Sequence, residues 1–174
     1  MVLSGRVALS TAGRNKRDFV PCVAFERETF GCEGLSPDAS YATNAYAVLQ
    51  SETLHLNYDG YRAVVREQPA CAVALAGQMV TERAALLRRL YDFAAASVEQ
   101  RVLAVLDRLS QDPASRANGT LVVLPADYRL ICEMVGATRE SISLALGRLV
   151  GSGVAERKGA SYVIHCSQLA LSPA

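Results

Sequence analysis

The chain has 174 residues, 51% of them hydrophobic and 20% charged, with a formal net charge of +1. This composition supports a buried core and excludes a disordered chain. The near-neutral charge also excludes nucleic-acid binding by bulk field, so any such binding rests on local cations and close docking. No apolar run of about 18 residues occurs, and the opening MVLSGRVAL lacks the apolar core and cleavage site of a secretory signal. A cytoplasmic protein without a membrane partner is therefore expected.

Residues 1–56 read as strands and turns. MVLSGRVALS alternates apolar and polar residues around a glycine break, and TAGRNKRD is a polar, basic hairpin tip. DFVPCVAF and AYAVLQSETLHL resume the strand pattern, with turn residues in GLSPDAS between them. The tip cations Arg14, Lys16 and Arg17 read as a solvated loop, with DNA contact as the alternative. From Asp59 the pattern turns helical: DGYRAVVREQP is a short helix ended by Pro69. ACAVALAGQMVTERAALLRRLYDFAAA then runs to Ala96 without proline and is rich in strong helix formers. Ala72, Ala76, Met79, Leu86, Leu90 and Phe93 follow alternating steps of four and three, with Arg83 the exception, which is a coiled-coil seam. The spacing predicts a homodimer through Met79, Leu86, Leu90 and Phe93. The alternative is packing on the chain's own domain alone.

Ser97-Val98-Glu99-Gln100 is a capping box opening a helix through about Leu109. QDPASRANG reads as an exposed polar loop, and TLVVLPAD as a short strand. Asp127 is a candidate N-cap for a helix whose stripe is Leu130, Ile131 and Met134. Val135-Gly136-Ala137 supplies a tight turn, Gly136 tolerating a positive φ. Thr138 caps a second helix with Ile142, Ala145, Leu146 and Leu149 inward and Arg139, Glu140 and Ser143 at its exposed N-terminal end. Two short helices led by polar side chains describe a helix-turn-helix. Gly151-Ser152-Gly153 breaks the second helix, and VAERKGASYVIH reads as a two-stranded wing.

CEMVGATRESISLALGRL followed by SGVAERKGASYVI resembles the winged helix-turn-helix of the cAMP receptor protein/FNR family of bacterial transcription regulators. The order ahead of it, β-rich segment then long helix, fits as well. The resemblance implies an α+β chain: a partial cyclic-nucleotide-binding-like β-roll with a short helix over 1–69, a dimerisation helix over 70–96, and a winged helix-turn-helix over 97–174. The family normally has some tens of residues before the strand that MVLSGRVAL resembles, so a shortened roll is expected. Cyclic-nucleotide binders of the family carry F-G-E and then Arg-Ser or Arg-Thr; here Phe30-Gly31 is followed by Cys32, and Tyr41 and Ala42 fall near the Arg-Ser position. No Arg or Lys lies between Arg27 and Arg62, and a phosphate without a cation there would be poorly compensated for lost hydration. Leu86-Leu87 stand where cAMP-binding members place two polar adenine contacts. The resemblance thus implies action without cyclic nucleotide.

By the same resemblance Arg139 and Glu140 match two base-reading residues. Arg pairs bidentately with guanine, and Glu accepts from cytosine N4. Ser143 matches a serine that FNR-like members use, and Leu144 replaces a second arginine, leaving it a thymine methyl at most. Thr138, Ser141, Arg157 and Lys158 are the expected phosphate contacts, with a plain helix-surface role as the alternative for Ser141. RNA polymerase is an expected partner through the QDPASRANG loop, and activation is the expected mode. The five cysteines, Cys22, Cys32, Cys71, Cys132 and Cys166, are irregularly spaced without C-x-x-C, and do not match the FNR-like iron–sulfur group. They read as small buried hydrophobes, with a thiol sensor as the alternative. His55 and His165 lie in strand-like runs without ligand partners, so no metal or cofactor is expected. With no nucleophile–base pair or P-loop, an enzyme is not expected either. Two rival readings remain: a sensor of this architecture switched by a small ligand or cysteine oxidation, and a module that binds only protein.

Overall fold

The computed structural model describes residues 1–12, 18–36, 38, 40–112, 116–117, 120–165 and 167. The basic tip cations Arg14, Lys16 and Arg17, Cys166, and most of QDPASRANG lie outside these residues. The chain divides into two compact units, Met1–Thr11 with Pro21–Tyr91, and Ala12–Val20 with Asp92–Ala174. The division falls inside the long helix, and the outer end of the first hairpin groups with the second unit.

In the first unit Gly5, at φ +85°, breaks the opening alternation into β1 (Val2–Ser4) and β2 (Val7–Ala12). Any Cβ at Gly5 would collide with Ser51 and the Gln50 carbonyl, while the Ser51 hydroxyl accepts from the Arg6 N–H at 2.9 Å. β2 lies between β3 (Asp18–Ala24) and β4 (Asn44–Ala47). β1 pairs antiparallel with β5 (Glu52–Thr53). The AYAVLQSETLHL segment is thus two short strands rather than one, interrupted where Ser51 turns back onto Arg6. Val2, Val7 and Ala24 form a small core, with Leu9 and Phe30 against it. α1 (Tyr58–Glu67) begins one residue earlier than Asp59, because Asn57 caps it by accepting from the Gly60 N–H at 2.8 Å.

α2 (Ala70–Ala95) carries no buried residue. Its half-buried positions include Cys71, Leu75, Gln78, Glu82 and Arg89, whereas Val73, Met79, Val80, Leu86, Leu87, Leu90 and Tyr91 are exposed. The amphipathic order is mixed: Gln78, Glu82 and Arg89 are half-buried beside Cys71 and Leu75, while several large apolar side chains face solvent. By length and composition alone α2 also passes as a helix able to cross a membrane.

The second unit is built on α3 (Val98–Ser110), whose capping box is formed: the Ser97 N–H donates to Gln100 Oε1 at 2.8 Å, and the Gln100 N–H donates to Ser97 Oγ at 3.2 Å. β6 (Arg116–Ala117), β7 (Thr120–Val123), β8 (Ala155–Lys158) and β9 (Ser161–His165) form one sheet in the order β6-β7-β9-β8. The wing hairpin is therefore continuous with the strand that precedes the helix-turn-helix, Thr120 pairing with His165 and Val123 with Tyr162. α4 (Tyr128–Val135) and α5 (Arg139–Gly151) pack their expected stripes into the core: Leu130, Ile131, Met134, Ile142, Ala145, Leu146 and Leu149 are all buried, as are Val102 and Leu106 of α3 and Ile164 of β9. Asp127 departs from expectation. It closes a 3-10 turn, Pro125–Asp127, and its carboxylate reaches back to accept from the Leu124 N–H at 2.8 Å instead of capping α4. The helical φ and ψ of Asp127 aim its side chain away from the orphan donors ahead.

Candidate nucleic-acid interface

The turn between α4 and α5 sets the display. Gly136 takes a left-handed conformation (φ 67°, ψ 38°), and its N–H closes α4 on the Cys132 carbonyl at 2.8 Å. Two residues on, Thr138 Oγ1 accepts from the Ser141 N–H at 3.3 Å and opens α5, with its hydroxyl 3.1 Å from that of Ser141. The burial of Ile142, Ala145, Leu146 and Leu149 turns the opposite face outward. Arg139, Glu140, Ser143, Leu144, Gly147 and Arg148 are all exposed there. Leu144 is 61% exposed, a bare apolar side chain among polar ones. Arg148 is held on this face by an ion pair to Glu99 of α3 at 3.2 Å.

A groove of about 400 Å³ runs beside α5, lined by Tyr128, Arg139, Ser143, Gly147, Arg157, Ala160 and Tyr162. Arg139, Ser143 and Arg157 are thus brought together from α5 and the wing. Glu140 and Leu144 share the exposed face of α5 but do not line the groove. Lys158, at the end of β8, is exposed and 3.6 Å from Glu156. Arg157 donates from Nε to the Gly159 carbonyl at 3.1 Å, which holds it at the wing turn. Ser141 is half-buried, and Thr138 is committed to the cap.

Tyr128 and Tyr162 escape a reading of charge and polarity, because at the start of α4 and on an alternating strand they read as core. Both are 7% exposed, with ring centroids 6.4 Å apart. The Arg139 guanidinium lies 5.4 Å from the Tyr128 ring centre, and that of Arg157 lies 6.0 Å from Tyr162. Burial, then Tyr162, pushes the Tyr128 phenol up to about 12, with Ser143 and Arg157 opposing. Burial also raises Cys132, with the nearby Arg139 working against it. The four described cysteines, Cys22, Cys32, Cys71 and Cys132, form no disulfide among the described residues and are half-buried rather than fully buried.

In the first unit Cys32 opens a 3-10 turn, Cys32–Leu35, with Sγ 3.7 Å from Thr29 Oγ1. Tyr41, 61% exposed, lays its ring over that turn against Gly31 and Gly34. Arg6, ahead of the segment searched for cations, is 4% exposed with its guanidinium 5.7 Å from the Phe25 ring centre. Of the expected seam residues, Met79, Leu86 and Leu90 are exposed. Phe93 instead meets Phe19 edge-on at 5.1 Å and carries Arg101 at 5.2 Å, so its ring is engaged within the second unit.

A helix-turn-helix whose second helix is exposed along one face beside a two-stranded wing defines the winged helix class. Residues 100–170 match the Crp-like helix-turn-helix domain. Over the whole chain the fold is similar to that of FixK2 from Bradyrhizobium japonicum (TM-score 0.83, 19% identity, 100% of this chain and 86% of that one). It is likewise similar to a CRP/FNR-family transcriptional regulator from Thermus thermophilus (TM-score 0.77, 20% identity, 99% and 87%). The regulator CLP of Xanthomonas campestris, described as c-di-GMP responsive, aligns at a TM-score of 0.75 with 20% identity over 94% and 82%. No curated protein sequence matches the chain. Residues 100–170 thus match a Crp-like helix-turn-helix domain, and the fold of the chain as a whole is similar to that of FixK2 and of the Thermus thermophilus protein.

Proposed function

We propose that this chain is a sequence-specific DNA-binding transcription regulator that acts as a homodimer in the cytoplasm without cyclic nucleotide. The observation that carries the reading is the exposed face of α5, where Arg139, Glu140, Ser143 and Leu144 stand clear of the core beside a groove completed by Arg157. Inserted in a major groove, that face offers Arg139 to guanine O6/N7 and Glu140 to cytosine N4, while Leu144 offers only an apolar surface. Thr138, Ser141, Arg157 and Lys158 flank it where phosphates would run.

The homodimer follows from α2, whose outward apolar face suits a second copy of the same helix. Two copies would present two α5 helices to two half-sites. Tyr41 over the Cys32–Leu35 turn supports the absence of a cyclic nucleotide, since the expected ribose and phosphate partners are a thiol, a phenol and Ala42. RNA polymerase as partner, and activation as the mode, rest on the family resemblance alone. Binding-site selection from a random duplex library tests the core of the proposal. The wild type should return a two-half-site motif, and Arg139→Ala should cost about 1–3 kcal/mol on it and relax one guanine position. An unchanged motif with Arg139→Ala would remove Arg139 from the readout; no motif at all would favour a module that binds only protein.

A further inference from the structure

Between α5 and the wing the two cations facing the groove are each laid on a tyrosine. Arg139 rests on Tyr128 at 5.4 Å and Arg157 on Tyr162 at 6.0 Å. Among the described residues neither guanidinium sits in an ion pair, whereas Arg148 and Lys158 nearby are both paired with carboxylates. Arginine on an aromatic face keeps its in-plane donors available while its swing is restricted, although Arg157 commits Nε to the Gly159 carbonyl.

We propose that Tyr128 is a positioning residue for sequence reading, its ring orienting Arg139, with the Tyr162 ring doing the same for Arg157 from the wing. The inference rests on the DNA-reading function above and adds residues that touch no base. Its physical content is pre-organisation. A long exposed side chain that must be immobilised on binding lowers affinity by roughly two- to tenfold, and one already laid on a ring avoids most of that loss. Because Tyr128 is on α4 and Tyr162 on β9, the pair also links the helix-turn-helix to the wing, so the base-reading and phosphate-holding cations are set by one joined surface. The open face at Gly147, where a Cβ would meet nothing within 4 Å, leaves the mouth of the groove clear for a duplex.

The test is operator discrimination in the full-length protein, measured by fluorescence anisotropy on the selected duplex and on duplexes altered at single base pairs. Tyr128→Leu should reduce discrimination at the Arg139-dependent guanine by about three- to tenfold. Adding Tyr128→Leu to Arg139→Ala should reduce it no further, because the platform acts only through the arginine. Tyr128→Phe keeps the ring and loses the hydroxyl. It should retain the guanine preference. A residue that merely supports the fold would lower affinity for all duplexes alike and leave these ratios unmoved. Should Tyr128→Leu fail to fold, Tyr128→Met, unbranched and without a ring, takes its place. The inference is overturned if the wild type and Arg139→Ala differ as proposed while the ringless variants keep wild-type ratios, or if Tyr128→Phe loses the preference as they do. A wild type that selects no sequence overturns it together with the DNA-reading function.

Discussion

Replacing Gly136 by alanine puts a single methyl into the turn on which the display of α5 depends. Two costs are separable. A residue with a Cβ in the left-handed region that Gly136 occupies (φ 67°) is disfavoured by about 1 kcal/mol. The added Cβ would also stand 2.8 Å from Cε1 of Phe93. That ring has little freedom to retreat, with Phe19 edge-on at 5.1 Å and the Arg101 guanidinium at 5.2 Å. Overpacking of this kind costs about 1–3 kcal/mol. The expected total is therefore about 2–4 kcal/mol, read as a shift in the urea midpoint at unchanged slope. The two parts come apart in a Phe93→Leu background, where the steric part should largely vanish and about 1 kcal/mol remain. A loss below about 1 kcal/mol, or equal losses in both backgrounds, would refute the claim that Phe93 backs the turn.

The apolar face of α2 should hold two copies together: the wild type should sediment as a dimer at micromolar concentration, and Leu86→Glu or Leu90→Glu as a monomer with lost operator affinity. A wild-type monomer that partitions into lipid vesicles would assign that face to a membrane instead. Millimolar cAMP should leave the melting temperature unchanged, whereas a ligand at a hundred times its Kd would stabilise the native state by about 2.7 kcal/mol. For Tyr128 the sign of the pH effect is fixed by its phenol lying above the usual 10.0, at about 12. Its contribution is fully present below pH 10 and is lost as pH rises toward 12, on the order of 2–3 kcal/mol. The phenolate absorbance of wild type minus Tyr128→Phe should accordingly appear near pH 12 and not near 10.

Much of the second unit was legible because its signals are local. The Ser97–Gln100 reciprocal cap, the glycine at 136 and the stripe from Ile142 to Leu149 each act within one or two helical turns, and each is realised as read. What escaped depends on contacts distant in sequence or on backbone state. Asp127 has the composition of a cap, but the 3-10 turn it closes commits its carboxylate to Leu124. Phe93 continues the α2 seam by spacing, yet Phe19, far off in sequence, engages its ring. Arg6 carries no sign of burial in its local sequence, yet it is 4% exposed with its guanidinium 5.7 Å from the Phe25 ring centre. The tyrosine pair carried no polar signature at all; each ring looks like packing until the arginine above it is seen.

The register of β7 with β9 has a consequence for the order of events during synthesis. Thr120 is bonded to His165 across the whole of α4, α5 and β8, so that ladder closes a long loop, the slow kind of contact in folding. Both helices of the helix-turn-helix emerge from the ribosome before β9 does. Until His165 has cleared the exit tunnel, β7 has no β9 neighbour and the wing has no hairpin, and Tyr128 lacks Tyr162. A nascent chain halted short of that point would carry a complete α5 packed on α3 and α4, with neither the wing nor Tyr162 beside it.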